Sequence, residues 1–365
     1  MRVLIDIGHP AHVHLFKHCI WNLERSGHEV IVTARKKEVT LNLLHAYGLT
    51  YYDLGEHYAT TLGKASGMIK RNYKLYRIAK KFVPNILVGV HDPYIAQVGK
   101  LLRKPSITFT DTEHVRLSSK LTFPFTNVIC TPACFKERLN PQKHVRYNGY
   151  HELAYLHPKY FAPDDTVLAG MGLSRNDQFI ILRFISWGAS HDVHLMGIDK
   201  GSALEFIKSL ERYGRVFITS ERKLSTELEQ YRLAVPPEQM LSLLYYADLY
   251  IGEGGTMAAE AAILGTPAIH IESTSKGIAT GNFSGNFLEL RDTYDLLCFY
   301  PDQKHALEKA MSILEDTNSK KKWQQKREKL LEDKIDVTAW MTDFIERYPE
   351  SFIGYKQQQQ SKGTN

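Results

Sequence analysis

The chain has 365 residues, 43% of them hydrophobic and 24% charged, a globular composition that excludes a disordered tail or a fibre. A single core rarely grows past roughly 250–300 residues, so two domains of comparable size are expected. Lys and Arg number 46 against 40 Asp and Glu, a formal net charge of +6, too small and too dispersed for a duplex-DNA binder but suited to a substrate that carries phosphate.

In chain order, the apolar run Val3-Leu4-Ile5-Asp6-Ile7 reads as a strand, with Asp6 breaking it too early for a signal peptide. After Gly8-His9-Pro10 the apolar spacing changes to Leu15, Phe16, Cys19, Ile20 and Leu23, one face of a helix that Gly27 stops, and Val30 to Thr33 is the next strand. That is a β-α-β unit in about 32 residues, as a right-handed parallel crossover requires. Residues 64–82 place Lys64, Lys70, Arg71, Lys74, Arg77, Lys80 and Lys81 around Met68, Leu75, Tyr76, Ala79 and Phe82. Such a basic amphipathic helix can rest on anionic lipid, although most runs of this kind are solvated faces. Strands continue at Asn85–Val90, Ser106–Thr110 and Asn127–Cys130, near-continuous apolar runs of the type that parallel strands buried on both faces produce.

Residues 1–155 form the expected first domain. The stretch 156–177, loosened by Pro158, Pro163 and Asp164-Asp165, is the expected linker. Alternation restarts with strands at Phe179–Leu182, Arg215–Thr219, Leu249–Ile251 and Pro267–Ile271, and helices over Ala203–Leu210 and Met257–Leu264, so 178–348 is the expected second domain. Asp336 can cap a last helix with Val337, Trp340, Met341, Phe344, Ile345 and Tyr348 on one stripe; docking on its own domain and crossing back to the first both remain open. Residues 349–365, with the Gln357–Gln360 run, read as a frayed tail. The whole is an α/β protein of two consecutive domains, with a ligand cleft expected at the carboxyl ends of the strands.

The most informative segment runs from Ala247 to Pro267. A strand enters the turn Gly252-Glu253-Gly254-Gly255 and a small-residue helix starts at about Thr256, so unpaired backbone N–H groups and the positive helix end form an anion site that glycines let a phosphate approach. Glu260, one turn further, can accept both hydroxyls of a ribose; the alternative is a tight turn with Glu260 paired to a nearby Lys or Arg. Neither a Gly-x-x-x-x-Gly-Lys-Ser/Thr loop nor a Gly-x-Gly-x-x-Gly opening the first helix is present, which argues against an ATPase and an NAD enzyme.

The first turn carries His9, His12 and His14. These suit a substrate or acid/base role or plain polar lining better than a metal, because Pro10 and the His12/His14 spacing do not put two ligands on one helical face. His91-Asp92 and Asp111, Glu113 and His114 follow two successive strands and open onto the same end of the sheet, where carboxylates can raise one another's pKa and supply a base or merely cap loops. Arg183 ends a strand before Ser186-Trp187-Gly188-Ala189-Ser190-His191 and suits a diphosphate clamp. Cys19, Cys130, Cys134 and Cys298 lack a Cys-x-x-Cys pair and read as reduced thiols, with the Cys130/Cys134 spacing a packing feature rather than a metal site.

Together these residues resemble the GT-B superfamily, in which two Rossmann-like lobes hold a nucleotide-sugar between facing parallel sheets. Ala247–Pro267 is similar to the donor motif of the peptidoglycan GlcNAc transferase and of UDP-GlcNAc 2-epimerases, which implies that the glycine turn (Gly254, Gly255, Thr256) holds the diphosphate and Glu260 the ribose. His91-Asp92 stands where the epimerases have Gly-Asp, and Glu113 at their Glu-Ala-Gly-Leu-Arg element. Gly8-His9-Pro10-Ala11-His12-Val13-His14, Gly149-Tyr150-His151-Glu152-Leu153 and Glu253-Gly254-Gly255-Thr256 look most like a prokaryotic domain-of-unknown-function family of this superfamily. The epimerases' Gly-Thr-Arg-Pro-Glu and His-Arg-x-Glu-Asn are replaced here by Gly8-His9-Pro10 and Arg183-Phe184-Ile185-Ser186-Trp187.

The resemblance implies a metal-independent glycosyltransferase with a UDP-sugar donor, a sugar or lipid-linked acceptor, no cofactor and no nucleic-acid partner. Its base would be among His9, His12, Asp111, Glu113 and His114, with Arg183, Gly254, Gly255, Thr256 and Glu260 on the donor. An epimerase and a sugar-nucleotide-binding protein without turnover are the alternatives. The expected location is cytoplasmic, with contact at the inner face of the membrane through residues 64–82 as an extension.

Overall fold

The computed structural model describes residues 1–37, 39–56, 61–113, 115–185, 195–198, 202–220 and 223–362. They fold as two units, residues 1–160 with 335–365 and residues 161–334.

The first unit runs β1 (Arg2–Ile7), α1 (Pro10–Arg25), β2 (Glu29–Lys36), α2 (Thr40–Ala46), β3 (Tyr52–Glu56), α3 (Thr61–Phe82), β4 (Ile86–Val90), α4 (Pro93–Leu102), β5 (Ser106–Phe109), α5 (Arg116–Thr122), β6 (Val128–Pro132), β7 (His144–Tyr147) and α6 (Leu153–Leu156). The second unit follows with α7 (Thr166–Gly170), β8 (Phe179–Phe184), β9 (Leu195–Met196), α8 (Ala203–Leu210), β10 (Arg215–Ser220), α9 (Met240–Tyr246), β11 (Leu249–Gly252), α10 (Gly255–Leu264), β12 (Ala268–Ile271), β13 (Ser273–Thr274), α11 (Gly285–Asp292), β14 (Leu297–Tyr300), α12 (Gln303–Glu315) and α13 (Ser319–Asp333). The chain then returns to the first unit as α14 (Val337–Glu346) and α15 (Glu350–Lys362).

The first sheet is parallel in the order β3-β2-β1-β4-β5-β6-β7. Val3, Leu4, Ile5, Leu87, Val88 and Ile107 are fully buried in it, because crossover helices cover both faces. With right-handed crossovers, α1 and α2 take one face together with α6 and α14, and α3, α4 and α5 take the other. The second unit's main sheet is also parallel, β10-β8-β11-β12-β14. Strand order reverses at β1/β4 in the first sheet and at β8/β11 in the second, and at such switch points the loops diverge and leave a crevice for ligands.

Three expectations change. Residues 335–348 fold with the first unit rather than the second, because Trp340 stacks on Tyr147 at 4.7 Å and the Ile335 amide donates to Asn148 O at 3.0 Å. Residues 156–177 are divided between the units at Tyr160/Phe161 and include α7 instead of forming a free linker. The tail expected to fray is helical through Lys362. Tyr355 OH accepts the Arg146 amide at 2.9 Å and Lys356 Nζ donates to Pro141 O at 2.7 Å, so α15 covers β7, the edge of the sheet.

Candidate functional site

In the first unit, the chain leaves β1 through Gly8 and His9 into α1. His9 is the N-cap, its Nδ1 accepting the Ala11 amide at 3.2 Å, and Pro10 opens the helix where no amide is needed. The Gly8 amide donates to His12 Nδ1 at 3.3 Å, which leaves the ring proton on Nε2. Burial, then the neighbouring His9 and Arg35, hold His12 well below the ordinary histidine range, so its ring is neutral. Arg35 packs over Gly8: its Nε donates to Gly8 O at 3.0 Å, and a Cβ on Gly8 would lie 3.2 Å from the guanidinium.

Across the same end of the sheet, Asp111 follows β5 and His151 follows β7. His151 Nδ1 meets Asp111 Oδ2 at 3.2 Å, and Thr112 Oγ1 donates to the other carboxylate oxygen at 3.1 Å. Burial alone would raise Asp111, but the His151 charge and hydrogen bond outweigh it and hold the carboxyl below its usual range. Burial alone would lower His151, yet the charges of Asp111 and Glu152 raise it. Nδ1–H is thus committed to Asp111, and Nε2 has no hydrogen-bond partner among the described residues. Tyr147 lies nearly parallel to the imidazole, with ring centroids 6.4 Å apart. The His151 charge also reaches His12.

The other sequence candidates of this unit divide. Glu113 is buried and its Oε1 accepts the Lys136 amide at 3.2 Å, which gives it a loop-holding job. His91, at φ 46°, is clamped by Thr110 Oγ1 at 2.8 Å and Ser119 Oγ at 3.0 Å. Asp92 caps α4 through the Tyr94 amide at 2.7 Å. His14 packs against Tyr155 inside the unit, and burial lowers it to about 3. His114 lies outside the described residues. His151, the partner that completes the dyad, was visible in the sequence only as part of Gly149-Tyr150-His151-Glu152-Leu153.

In the second unit, β11 and α10 build the expected turn. Gly252 pairs with Arg183 of β8, and a Cβ there would lie 2.5 Å from Arg183 O, so the strands can close only with glycine at this place. Gly254, at φ 87°, is the N-cap of α10 and has no side chain with which to cap it; Gly255 and Thr256 are exposed. The first-turn amides of α10 therefore lie at the positive end of a ten-residue helix. Glu260 is buried on α10, and Arg183 Nη1 donates to Thr219 Oγ1 at 3.2 Å. Glu253, which the motif did not single out, is fully buried. Its Oε2 accepts the Ile185 amide at 2.7 Å and its Oε1 the Ile198 amide at 2.9 Å, so one carboxylate ties both flanks of residues 186–197 to the turn. The Ser186–His191 segment lies outside the described residues.

Comparison with known proteins agrees with this architecture. "Uncharacterized protein MJ0665" of Methanocaldococcus jannaschii is 27% identical over 281 residues, 74% of this chain and 81% of that protein. The UDP-GlcNAc 2-epimerase of Neisseria meningitidis, solved bound to UDP-GlcNAc, matches with a TM-score of 0.66 at 12% identity, over 95% of this chain and 100% of its own. The spinosyn rhamnosyltransferase SpnG, solved with thymidine diphosphate, matches with a TM-score of 0.61 at 16% identity, over 94% and 99%. At these identities the likeness establishes the fold, a GT-B-like α/β protein of two Rossmann-like units. A family profile matches residues 1–338, and the chain accordingly belongs to the family described as "Protein of unknown function (DUF354)".

Proposed function

We propose that the protein is a metal-independent glycosyltransferase that takes a sugar from a UDP-sugar and passes it to a sugar or lipid-linked acceptor in the synthesis of a cell-surface polysaccharide or glycoconjugate. The observation that carries this reading is the Asp111–His151 pair. A carboxylate that fixes one imidazole nitrogen leaves the other as a base, the arrangement an acceptor hydroxyl needs. His151 Nε2 takes the hydroxyl proton while the acceptor oxygen bonds to the anomeric carbon. The bond from that carbon to the diphosphate oxygen breaks, and its electron pair leaves with UDP. Asp111 stabilises the imidazolium that forms. His12, neutral with its proton on Nε2, offers a donor to orient the acceptor.

The donor end of the reading rests on the second unit. The growing charge on the diphosphate meets the open amides of α10 and the Arg183 guanidinium, preorganised dipoles and charge that stabilise a transition state more than a ground state. Glu260 accepts the ribose hydroxyls. Support for the nucleotide class comes from neighbouring folds solved with thymidine diphosphate and with UDP-GlcNAc.

The test is incubation with a panel of UDP-sugars, with and without acceptors. The reading predicts acceptor-dependent release of UDP and a His151→Asn variant slowed by about 10²–10⁴. A new epimer formed without acceptor would make the protein an epimerase, and nucleotide binding without turnover across the panel would make it a binding protein.

A further inference from the structure

Residues 61–136 carry thirteen Lys and Arg and only three acidic residues, Asp92, Asp111 and Glu113. The excess of ten positive charges in this stretch surpasses that of the whole chain, so the remainder is net acidic. All three acids lie in the loops that follow the carboxyl ends of β4 and β5. The helices α3, α4 and α5, which share one face of the first sheet, contain no Asp or Glu at all.

The same face leaves large apolar side chains in water. Ile69 is 72% exposed, Tyr73 62%, Leu101 69% and Leu117 71%. Among the described residues, more than half of the large exposed hydrophobic side chains fall between residues 61 and 126. Ile69 and Tyr73 are four apart on α3, one above the other, and Lys70, Lys74 and Arg77 flank them as exposed cations. A relay of hydrogen bonds ties the three helices into one layer: Asn72 Nδ2 donates to Gln97 Oε1 at 2.8 Å, and Gln97 Nε2 to Leu121 O at 3.1 Å. Beside α5 a cavity of about 330 Å³ is lined by Phe123, Pro124, Ile129 and Leu139 with Lys120 and Lys143.

We propose that the outer face of α3, α4 and α5 docks on an anionic lipid bilayer. Ile69, Tyr73 and Leu117 enter the headgroup layer, and Lys70, Lys74, Arg77 and Lys120 meet lipid phosphates. Exposed aliphatic side chains among cations gain from an interface that is apolar beneath and negative at its surface. An acidic soluble partner would match the charge, and nucleic acid would match it too, but of Ile69, Tyr73, Leu101 and Leu117 only Tyr73 offers a base a stacking surface.

The test uses the full chain in sedimentation with vesicles of phosphatidylcholine alone or with about a third phosphatidylglycerol, at about 0.1 M salt. The proposal predicts binding to the anionic vesicles that is at least about tenfold tighter than to the neutral ones and that weakens with added salt. Lys70→Glu, Lys74→Glu and Lys120→Glu together should reduce partitioning about 100-fold or more, and Ile69→Ser with Leu117→Ser should reduce it with every charge intact. All of these positions are solvent-exposed, and unchanged circular dichroism and melting confirm that the variants are folded. Lys208→Glu, Lys304→Glu and Lys321→Glu, the same charge change in the second unit, should leave binding near the parent's. The proposal is overturned if anionic vesicles bind no better than neutral ones, if the control triple loses as much as the α3/α5 triple, or if a single-stranded RNA competes the protein off the vesicles.

Discussion

The Asp92 carboxyl hydrogen-bonds that of Asp6, and both are buried at the β1/β4 switch point. Asp6 is in register with Gly89, and the missing side chain there makes room: a Cβ on Gly89 would lie 3.1 Å from Asp92 Cβ. Thr33 Oγ1 donates to Asp6 from the other side. Burial first, then the charge and hydrogen bond of Asp6, push Asp92 well above the usual carboxyl range.

Because the folded-state pKa of Asp92 is raised, its contribution to stability is complete below the unfolded-state value and is lost as pH rises through the folded one. Asp92→Asn keeps the oxygen that caps α4 and supplies an amide donor to Asp6 at every pH. The variant should unfold less readily than the parent at pH 8, by about 1 kcal/mol or more, and match it at pH 4. Urea unfolding across that range measures the difference.

The Asp111–His151 dyad makes a kinetic prediction. His151 acts as base only when neutral, and Asp111 raises its pKa, so the transfer rate should climb with pH through that value. Asp111→Asn removes the charge that raises it. The acid limb of the rate profile should then move to lower pH while the maximal rate falls about 10²–10⁴-fold. A profile that keeps its position in the Asp111→Asn enzyme would remove the dyad from the mechanism.

Glu253 holds two backbone amides with one buried carboxylate. Glu253→Ala leaves the amides of Ile185 and Ile198 without that acceptor, at a cost of about 1–3 kcal/mol for each. A fall of about 2–6 kcal/mol in unfolding free energy is expected, with weaker nucleotide binding, and Glu253→Gln should recover part of it through its remaining carbonyl oxygen. Denaturant titration with and without UDP reads both effects.

Gly149 lets α14 press against the turn that carries His151. A Cβ at Gly149 would collide with Val337 Cγ2, so Gly149→Ala should displace α14 and cost about 1–3 kcal/mol. Its effect on turnover should exceed its effect on nucleotide affinity, because the second unit is untouched. Parallel measurement of kcat and of UDP affinity distinguishes the two.

The sequence was most legible where strands are buried on both faces: β1, β4, β8 and β11 are built on the short apolar runs Val3–Ile5, Ile86–Val90, Phe179–Leu182 and Leu249–Ile251. It was least legible at the edges of the first sheet. β3 reads Tyr-Asp-Leu-Gly-Glu and β7 His-Val-Arg-Tyr, whose half-exposed sides carry polar residues, and α15 has no apolar period because Tyr355 and Lys356 hold it by hydrogen bonds instead. Local spacing could place Asp111 after a strand but could not pair it with His151 forty residues later, since that contact exists only once β5, β6 and β7 lie side by side. Glu253 escaped for a similar reason: nothing near it in the sequence shows that the amides of Ile185 and Ile198 arrive from elsewhere in the chain.

In the proposed function the second unit binds a nucleotide-sugar through the start of α10 and Glu260. Calorimetric titration of UDP and a set of UDP-sugars into the full chain tests it most directly, with Glu260→Ala beside the parent. The parent should bind saturably, and Glu260→Ala should lower the affinity about tenfold or more by the loss of hydrogen bonds to a charged acceptor. Absence of binding across the set, or equal affinity in the Glu260→Ala protein, would contradict it.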